Sequence, residues 1–251
     1  MTPAFLHTQY GLLSEWRGYM ERKLGRPVDI VQRDSYRETM DLLRSEQLDF
    51  AWICSYPYVY LRQQLRLVAV PLYRSRPFYH AYLIVSLKHR EVKSLSQLRG
   101  KVFAYADPYS LTGHLVPRYQ LRKMGEDPEK FFSKTFFTYS HSKLIEAVAD
   151  GLAQGGSVDG YVWDSLNALK PEITRRTYPV SQSPEFGFPP VVARRTVAQE
   201  DFAAVQKMLI GMYRDPQGKA LLQNLNLNGF IHGIPDLYDG VAEMMHEFGE
   251  G

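Results

Sequence analysis

Cysteine is almost missing from this chain: of 251 residues, Cys54 alone is one. That excludes an internal disulfide and any metal site built on a cysteine cluster. In its setting, Phe50-Ala51-Trp52-Ile53-Cys54, it reads as a small buried residue rather than a reactive thiol. No apolar run approaches the ~20 residues of a membrane-spanning helix. No Walker A loop, G-x-G-x-x-G turn or G-x-S-x-G elbow occurs, and His246-Glu247 lacks a zincin's second histidine. Charge of one sign is lacking too. Lys and Arg number 30 against 27 Asp and Glu, so the net charge is +3. That is too mild for a nucleic-acid footprint, and no RNP, zinc-finger or basic-helix pattern supports one. A basic leader with an apolar core is also missing. Met1-Thr2-Pro3-Ala4-Phe5-Leu6 begins abruptly, which suggests a preceding strand and leader that have been removed.

The composition that remains, 45% apolar and 23% charged, suits a globular protein with one large domain or two lobes. Val102 to Ala106 reads as a short buried strand, and Asp107-Pro108 ends it. Ser110 or Thr112 then stands at a helix N-cap, ahead of Leu115, Val116, Tyr119 and Leu121. A strand-to-helix turn of this kind offers hydroxyls, backbone N–H groups and a helix dipole to a small oxyanion. An ordinary capped turn would use the same residues.

Around that turn, strand and helix alternate. Ser14–Leu24 is an amphipathic helix stopped by Gly25, and Pro27–Gln32 reads as a strand. Ser35 and Glu38 form a capping box ahead of a helix with Met40, Leu42 and Leu43. Asp49–Ile53, Leu67–Leu72 and Tyr79–Ser86 read as strands, and Tyr56-Pro57-Tyr58 opens a helical stretch to about Leu65. The alternation predicts a mostly parallel α/β sheet over the first 85 residues. Ser140-His141 heads a helix closed by Gly155-Gly156. Val158–Val162 is a predicted strand, Asp164–Leu169 a helix, and the tail from Ala198 is helical. The predicted fold is α/β, in two lobes joined by hinge strands. Residues 1–85 plus 187–251 form lobe 1, and 86–186 form lobe 2. Ligands of such sheets bind at the carboxyl ends of strands. Those ends carry Arg33 to Tyr36, Cys54 to Tyr56, Asp107 to Thr112, Tyr139 to His141, and Trp163-Asp164, all expected to face one cleft.

Several stretches, taken in order, resemble the PhnD-like phosphate/phosphite/phosphonate substrate-binding proteins of ABC transporters, a group within the type II periplasmic binding proteins. They are Leu24 to Val28, Ser35-Tyr36, Leu48 to Trp52, Tyr79 to Val85, Leu98 to Ala104, Asp107 to Pro117, Ser140-His141, and Gly156 to Tyr161. The Asp-Pro-x-Ser-x-Thr-Gly-x-x-x-Pro element is the most specific of these. The resemblance implies that Ser110, Leu111 and Thr112 occupy the positions of an oxyanion-holding Ser-Thr-Ser, with leucine in the middle. It further implies ligand-binding roles for Tyr36, Tyr79, His141 and Asp164. The family's Asp-Pro element after the return crossing appears as Pro189-Pro190, which weakens the case for an aminoalkyl ligand.

The implied function is capture of a small phosphorus oxyanion by a hinged, two-lobed protein that hands it to an ABC permease. A sensing domain of a membrane receptor is the alternative, and an enzyme on the same fold a more distant one. Ser110, His141 and Asp159 or Asp164 could compose a nucleophile, base and orienter, but nothing in the sequence sets a base beside the serine. The chain is expected to be a monomer without cofactor or metal, periplasmic or anchored on the outer side of a membrane.

Overall fold

The computed structural model describes residues 10–250; the abrupt start at Met1–Leu6 lies outside them. In chain order the first elements are α1 (Tyr10–Leu24), α2 (Tyr36–Arg44), β1 (Phe50–Trp52), α3 (Ser55–Leu61), β2 (Leu65–Leu72), β3 (Phe78–Tyr79), β4 (Ala81–Ser86) and β5 (Val102–Tyr105). Next come α4 (Val116–Lys123), β6 (Lys134–Phe137), α5 (His141–Ala149), β7 (Gly155–Asp159), α6 (Gly160–Leu169), α7 (Pro171–Thr174), β8 (Thr177–Gln182) and β9 (Phe186–Gly187). The last are β10 (Val191–Arg194), α8 (Gln199–Gly211), α9 (Pro216–Asn224), β11 (Gly229–His232) and α10 (Asp239–His246). They form two compact units. One takes residues up to Phe78 with Phe186–Ala242, the other Tyr79–Glu185 with Glu243–Glu250.

In the first unit the sheet order is β1-β10-β2-β11. Each of its three pairings is antiparallel, which corrects the parallel sheet expected from the alternation. The reason is insertion: β10 arrives from far along the chain and separates β1 from β2. Those two strands share a direction, as a β-α-β order requires, but do not touch. Val68, Val70 and Val192 are fully buried in this sheet, and α8, with buried Val205 and Leu209, packs on β2 and β11. The predicted strand Pro27–Gln32 has no ladder partner among the described residues. Its Val28 amide donates instead to the Glu21 carboxylate, 3.2 Å away. β11 was hidden in the sequence, because four residues after a turn look like the end of a helical tail. The Ser35–Glu38 capping box is present in both directions, and Cys54 is buried.

The second unit has the order β6-β5-β7-β4-β8. β5 is parallel to β6 and β7, while β4 is antiparallel to β7 and β8. Because β4 is hydrogen-bonded in this sheet, the chain enters the unit between Phe78 and Tyr79, ahead of the expected boundary after residue 85. The tail is likewise divided, since residues 243–250 pack on α4. There Phe248 lies under the Arg118 and Arg122 guanidinium groups, 4.4 and 4.3 Å away, and Glu247 accepts from Lys123 at 2.8 Å. One face of the sheet buries Leu83, Val85, Leu98, Phe103 and Leu121, with Phe103 stacked on Phe132 at 4.3 Å. The other face is covered by Leu144, Ile145 and Val148 of α5, all fully buried.

Gly155 and Gly156 were expected to close α5, but they are buried residues of β7. A side chain has no room there. A Cβ on Gly155 would come within 2.6 Å of Leu98 Cδ1, and one on Gly156 within 2.8 Å of Leu144 Cδ2 and 3.1 Å of the Ala104 carbonyl. The two glycines let a helix and a neighbouring strand close on β7. Gly156→Ala is therefore expected to lower unfolding stability by about 1–3 kcal/mol through overpacking. Gly211→Ala, at the end of α8 with nothing within 4 Å, is expected to be neutral or to gain up to about 1 kcal/mol. Urea titration followed by far-ultraviolet dichroism measures both, and equal losses would contradict the close packing on β7 as the cause.

Candidate functional site

β5 ends in a turn that its own side chains close. The Asp107 carboxylate accepts the Tyr109 amide at 2.8 Å, and the Ser110 amide donates to the Asp107 carbonyl at 2.9 Å. The chain then enters one turn of π-helix, Leu111–Leu115, before α4. Such wide turns are rare in proteins and gather at functional sites. Here the cause is Pro117. It has no N–H, and its ring crowds the carbonyl four residues back. The turn widens accordingly, with the Leu115 amide reaching the Ser110 carbonyl at 3.0 Å.

Two carbonyls that a regular helix would have used are thereby released, and both find partners in neighbouring strands. The Gly113 carbonyl accepts the Ala106 amide at 3.1 Å. The Thr112 carbonyl accepts the Ser157 hydroxyl from β7. The turn is thus tied to β5 and β7 at once. Glycine is required at 113, where a Cβ would lie 2.4 Å from the Ala106 Cβ and 3.0 Å from both His141 Cε1 and Ser110 Oγ.

Ser110 is the cap, fully buried, and its Oγ accepts the Gly113 amide at 3.0 Å. His141, first residue of α5 after its cap Ser140, brings Nε2 to within 3.4 Å of the same Oγ. Its other nitrogen, Nδ1, accepts the Asp159 backbone N–H at 3.2 Å. An accepting Nδ1 leaves the ring proton on Nε2, so the histidine donates to Ser110. Burial pushes the His141 pKa down to about 3, so the ring is neutral at physiological pH. With both acceptor directions of Ser110 Oγ in use, its own proton is left to donate. Thr112 stands two residues on, fully buried, and its Oγ1 has no hydrogen-bond partner among the described residues. An unpaired buried hydroxyl costs about 1–3 kcal/mol, which a ligand oxygen would offset.

Of the sequence-derived candidates, Ser110 and His141 are thus in contact, and Thr112 stands in the same turn. Leu111 lies between the two hydroxyl residues, its side chain fully buried. Tyr79 is buried, two residues before Ala81, which pairs with Asp159. Tyr36 opens α2 in the other unit, so the corner is assembled without it. Asp164 does not open its helix as expected. β7 ends at Asp159, and α6 begins at Gly160 with Asp159 as its cap, its carboxylate accepting the Val162 amide at 3.2 Å. Asp164 sits inside that helix and accepts the Tyr82 hydroxyl at 3.1 Å. The acidic residue adjoining His141 is Asp159, whose pKa burial raises to about 7, with the Asp164 charge adding to the shift.

Sequence reasoning gave no role to Gly113 or Ser157. The glycine four residues before Pro117 was a usable signal; the Ser157 contact depends on strand order and left none. His114, close by, donates from Nδ1 to the Pro108 carbonyl at 2.8 Å. It is kept neutral by burial, with a pKa near 4. Among the described residues no three His, Cys, Asp or Glu side chains are grouped to hold a metal, and no helix is long and apolar enough to cross a membrane.

Comparison with known proteins agrees with this geometry. The family model for the periplasmic phosphonate substrate-binding protein of ABC transporters matches residues 1–238. The phosphonates-binding periplasmic protein of Escherichia coli (strain K12) is 23% identical over 228 residues, covering 87% of this chain and 67% of the relative. A probable ABC transporter phosphite-binding protein, PhnD1, of Prochlorococcus marinus (strain MIT 9301) is 24% identical over 242 residues, covering 90% and 80%. Among solved structures, the binding component of an ABC phosphonate transporter from Pseudomonas aeruginosa superposes with a TM-score of 0.87. It is 21% identical and covers 95% of this chain and 81% of that one. The Prochlorococcus marinus PhnD1 complex with methylphosphonate gives 0.86, at 19% identity and 95% and 92% coverage. The fold is that of type II periplasmic binding proteins. By its strand-turn-helix corner and the match along nearly its whole length, this chain belongs to the phosphonate-binding family of ABC-transporter substrate-binding proteins.

Proposed function

We propose that this protein is the extracytoplasmic solute-binding component of an ABC transporter, and that it holds a small phosphorus oxyanion at the Ser110–Thr112 corner for delivery to a permease. The observation that carries the reading is the pair of hydroxyls. Ser110 already accepts two hydrogen bonds, so its own proton is left to donate, and Thr112 is buried without a partner. The start of the helix that follows the turn adds the positive end of its dipole. A charge-assisted hydrogen bond is worth roughly 1.5–3 kcal/mol, so a few such donors suffice for reversible capture. The relatives named above support the ligand class.

The same hydrogen bonds argue for binding over catalysis. Ser110, His141 and Asp159 are neighbours, but their polarity is the reverse of a nucleophile-and-base set. The histidine faces the serine with its protonated nitrogen and cannot take the serine's proton. Its Nδ1 is held by a backbone amide and not by a carboxylate. The family's assignment to transport favours this reading over a receptor's sensing domain.

Calorimetric titration of the ligand-stripped protein with methylphosphonate, phosphite and inorganic phosphate is the direct test, with 1:1 binding of at least one expected. Thr112→Val is expected to weaken that binding by roughly 10- to 150-fold, the loss of one charge-assisted bond, while Thr112→Ser keeps most of it. Without ligand, Thr112→Val should be no less stable than wild type, because it removes an unpaired buried hydroxyl. A valine variant that binds as tightly as wild type would remove Thr112 from the site. Binding of none of the three anions would end the proposal.

A further inference from the structure

The family match covers residues 1–238, so α10 and the tail after it lie outside that match. The tail is nevertheless a defined structure. The Glu250 amide donates to the Met245 carbonyl and the Gly249 amide to that of His246, each at 3.0 Å. This pair of bonds closes a helix end through one residue in the left-handed region, and Gly249, at φ +68°, supplies it. Met244 and Met245 are buried behind it. Phe248, directly before the glycine, is thereby given a fixed place against α4.

α4 is the helix that continues the corner. Arg118 and Arg122, one turn apart, both lie over the Phe248 ring. Arg118 also pairs with Glu129 at 3.3 Å and with Glu250 at 3.7 Å. Arg122 donates to the Glu247 carbonyl, and Lys123 pairs with the Glu247 carboxylate at 2.8 Å. All the basic residues of α4 are thus engaged by the tail. Past Pro117, by contrast, Leu121 is the one residue of α4 that is buried.

At its other end α4 runs without a break into the corner. The Val116 amide donates to the Leu111 carbonyl and the Leu115 amide to that of Ser110. A tilt or rotation of α4 therefore carries the hydroxyl-bearing turn with it. Burial, and after it the Arg118 charge, keep His114 of that turn neutral, so this guanidinium acts on the turn as well as on the tail.

Resting on the oxyanion-binding reading above, we propose that the C-terminal tail is a positioning element of the corner: Phe248, under Arg118 and Arg122, sets α4 and through it Ser110 and Thr112. Coupling of this kind is reciprocal. A seated tail that favours the bound corner requires a bound ligand to favour the seated tail. A tail that only adds stability shows no such local response.

Two measurements on the full chain test this, with methylphosphonate as the probe, or phosphite or inorganic phosphate where that binds more tightly. Hydrogen exchange of the Gly249 and Glu250 amides is expected to slow about fivefold at saturating ligand. The Arg176 amide, at an exposed helix end elsewhere in the same unit and bonded to the Ile173 carbonyl, is expected to stay unchanged. Calorimetric titration then compares two variants. Phe248→Leu keeps an apolar side chain but removes the ring face that the guanidinium groups use, and is expected to bind about fivefold more weakly. Phe248→Tyr keeps the ring and is expected to stay within about twofold of wild type.

A leucine variant that binds like wild type overturns this inference while leaving the binding function in place. So does tail exchange that responds to ligand no more than Arg176 does. Equal losses in the leucine and tyrosine variants overturn it too, by making the ring face irrelevant. Absence of binding of all three anions to the wild-type chain overturns both readings.

Discussion

Proline at position 117 cannot donate a hydrogen bond, and the architecture of the corner grows from that one deficit. A helix entering straight from β5 would have used the carbonyls of Thr112 and Gly113 within itself. With no N–H at 117 the turn opens into a π-turn, and those carbonyls are answered by Ser157 of β7 and Ala106 of β5. Bonds that would have run along the helix run sideways into two strands. The hydroxyl-bearing turn is thus held by three elements instead of one, which fixes a short loop firmly enough to place hydroxyls at defined points. Gly113 is the accompanying requirement, since the tie to Ala106 brings the backbones too close for any Cβ.

How much of this was legible in the sequence depended on the range of the interaction concerned. The Ser35–Glu38 box, the Ser140 cap and the strand-turn-helix around Asp107 to Pro117 are local. Their signals lie within a few residues, and each element stands where the spacing put it. Strand adjacency is not local, so β10 could part β1 from β2 without a trace in the first 85 residues. Gly155-Gly156 shows the same limit at closer range. A glycine pair after a helix commonly marks its end, and here one did not, because the crowding that demands glycine comes from Leu98 and Leu144. The acidic neighbour of His141 was misplaced for a related reason. With β7 read as ending three residues late, Asp164 took the place at the head of the helix that Asp159 in fact caps.

Family resemblance pointed to positions for candidate ligand-binding residues but not to a protonation state, and that state came from the hydrogen bonds. A histidine next to a serine and an aspartate suggests a base until its nitrogens are given partners. The backbone N–H at residue 159 decides the matter, because it can only donate. Desolvation then works with the geometry: burial lowers the histidine's pKa, the neutral ring keeps its proton on Nε2, and the serine hydroxyl is left to donate. Geometry and desolvation act in one direction.

Neutral groups also suit a site that must empty itself. A buried arginine would bind a dianion more tightly, but it would also have to be desolvated without a partner whenever the ligand was absent. Hydroxyls and amides carry a far smaller penalty when unpaired: at Thr112 it is that of one buried hydroxyl, not of one buried charge. A protein that must release its cargo intact needs an empty state not much less stable than the filled one. Neutral donors with fixed direction meet that need, since their contribution is large only when a negative oxygen is present to receive them.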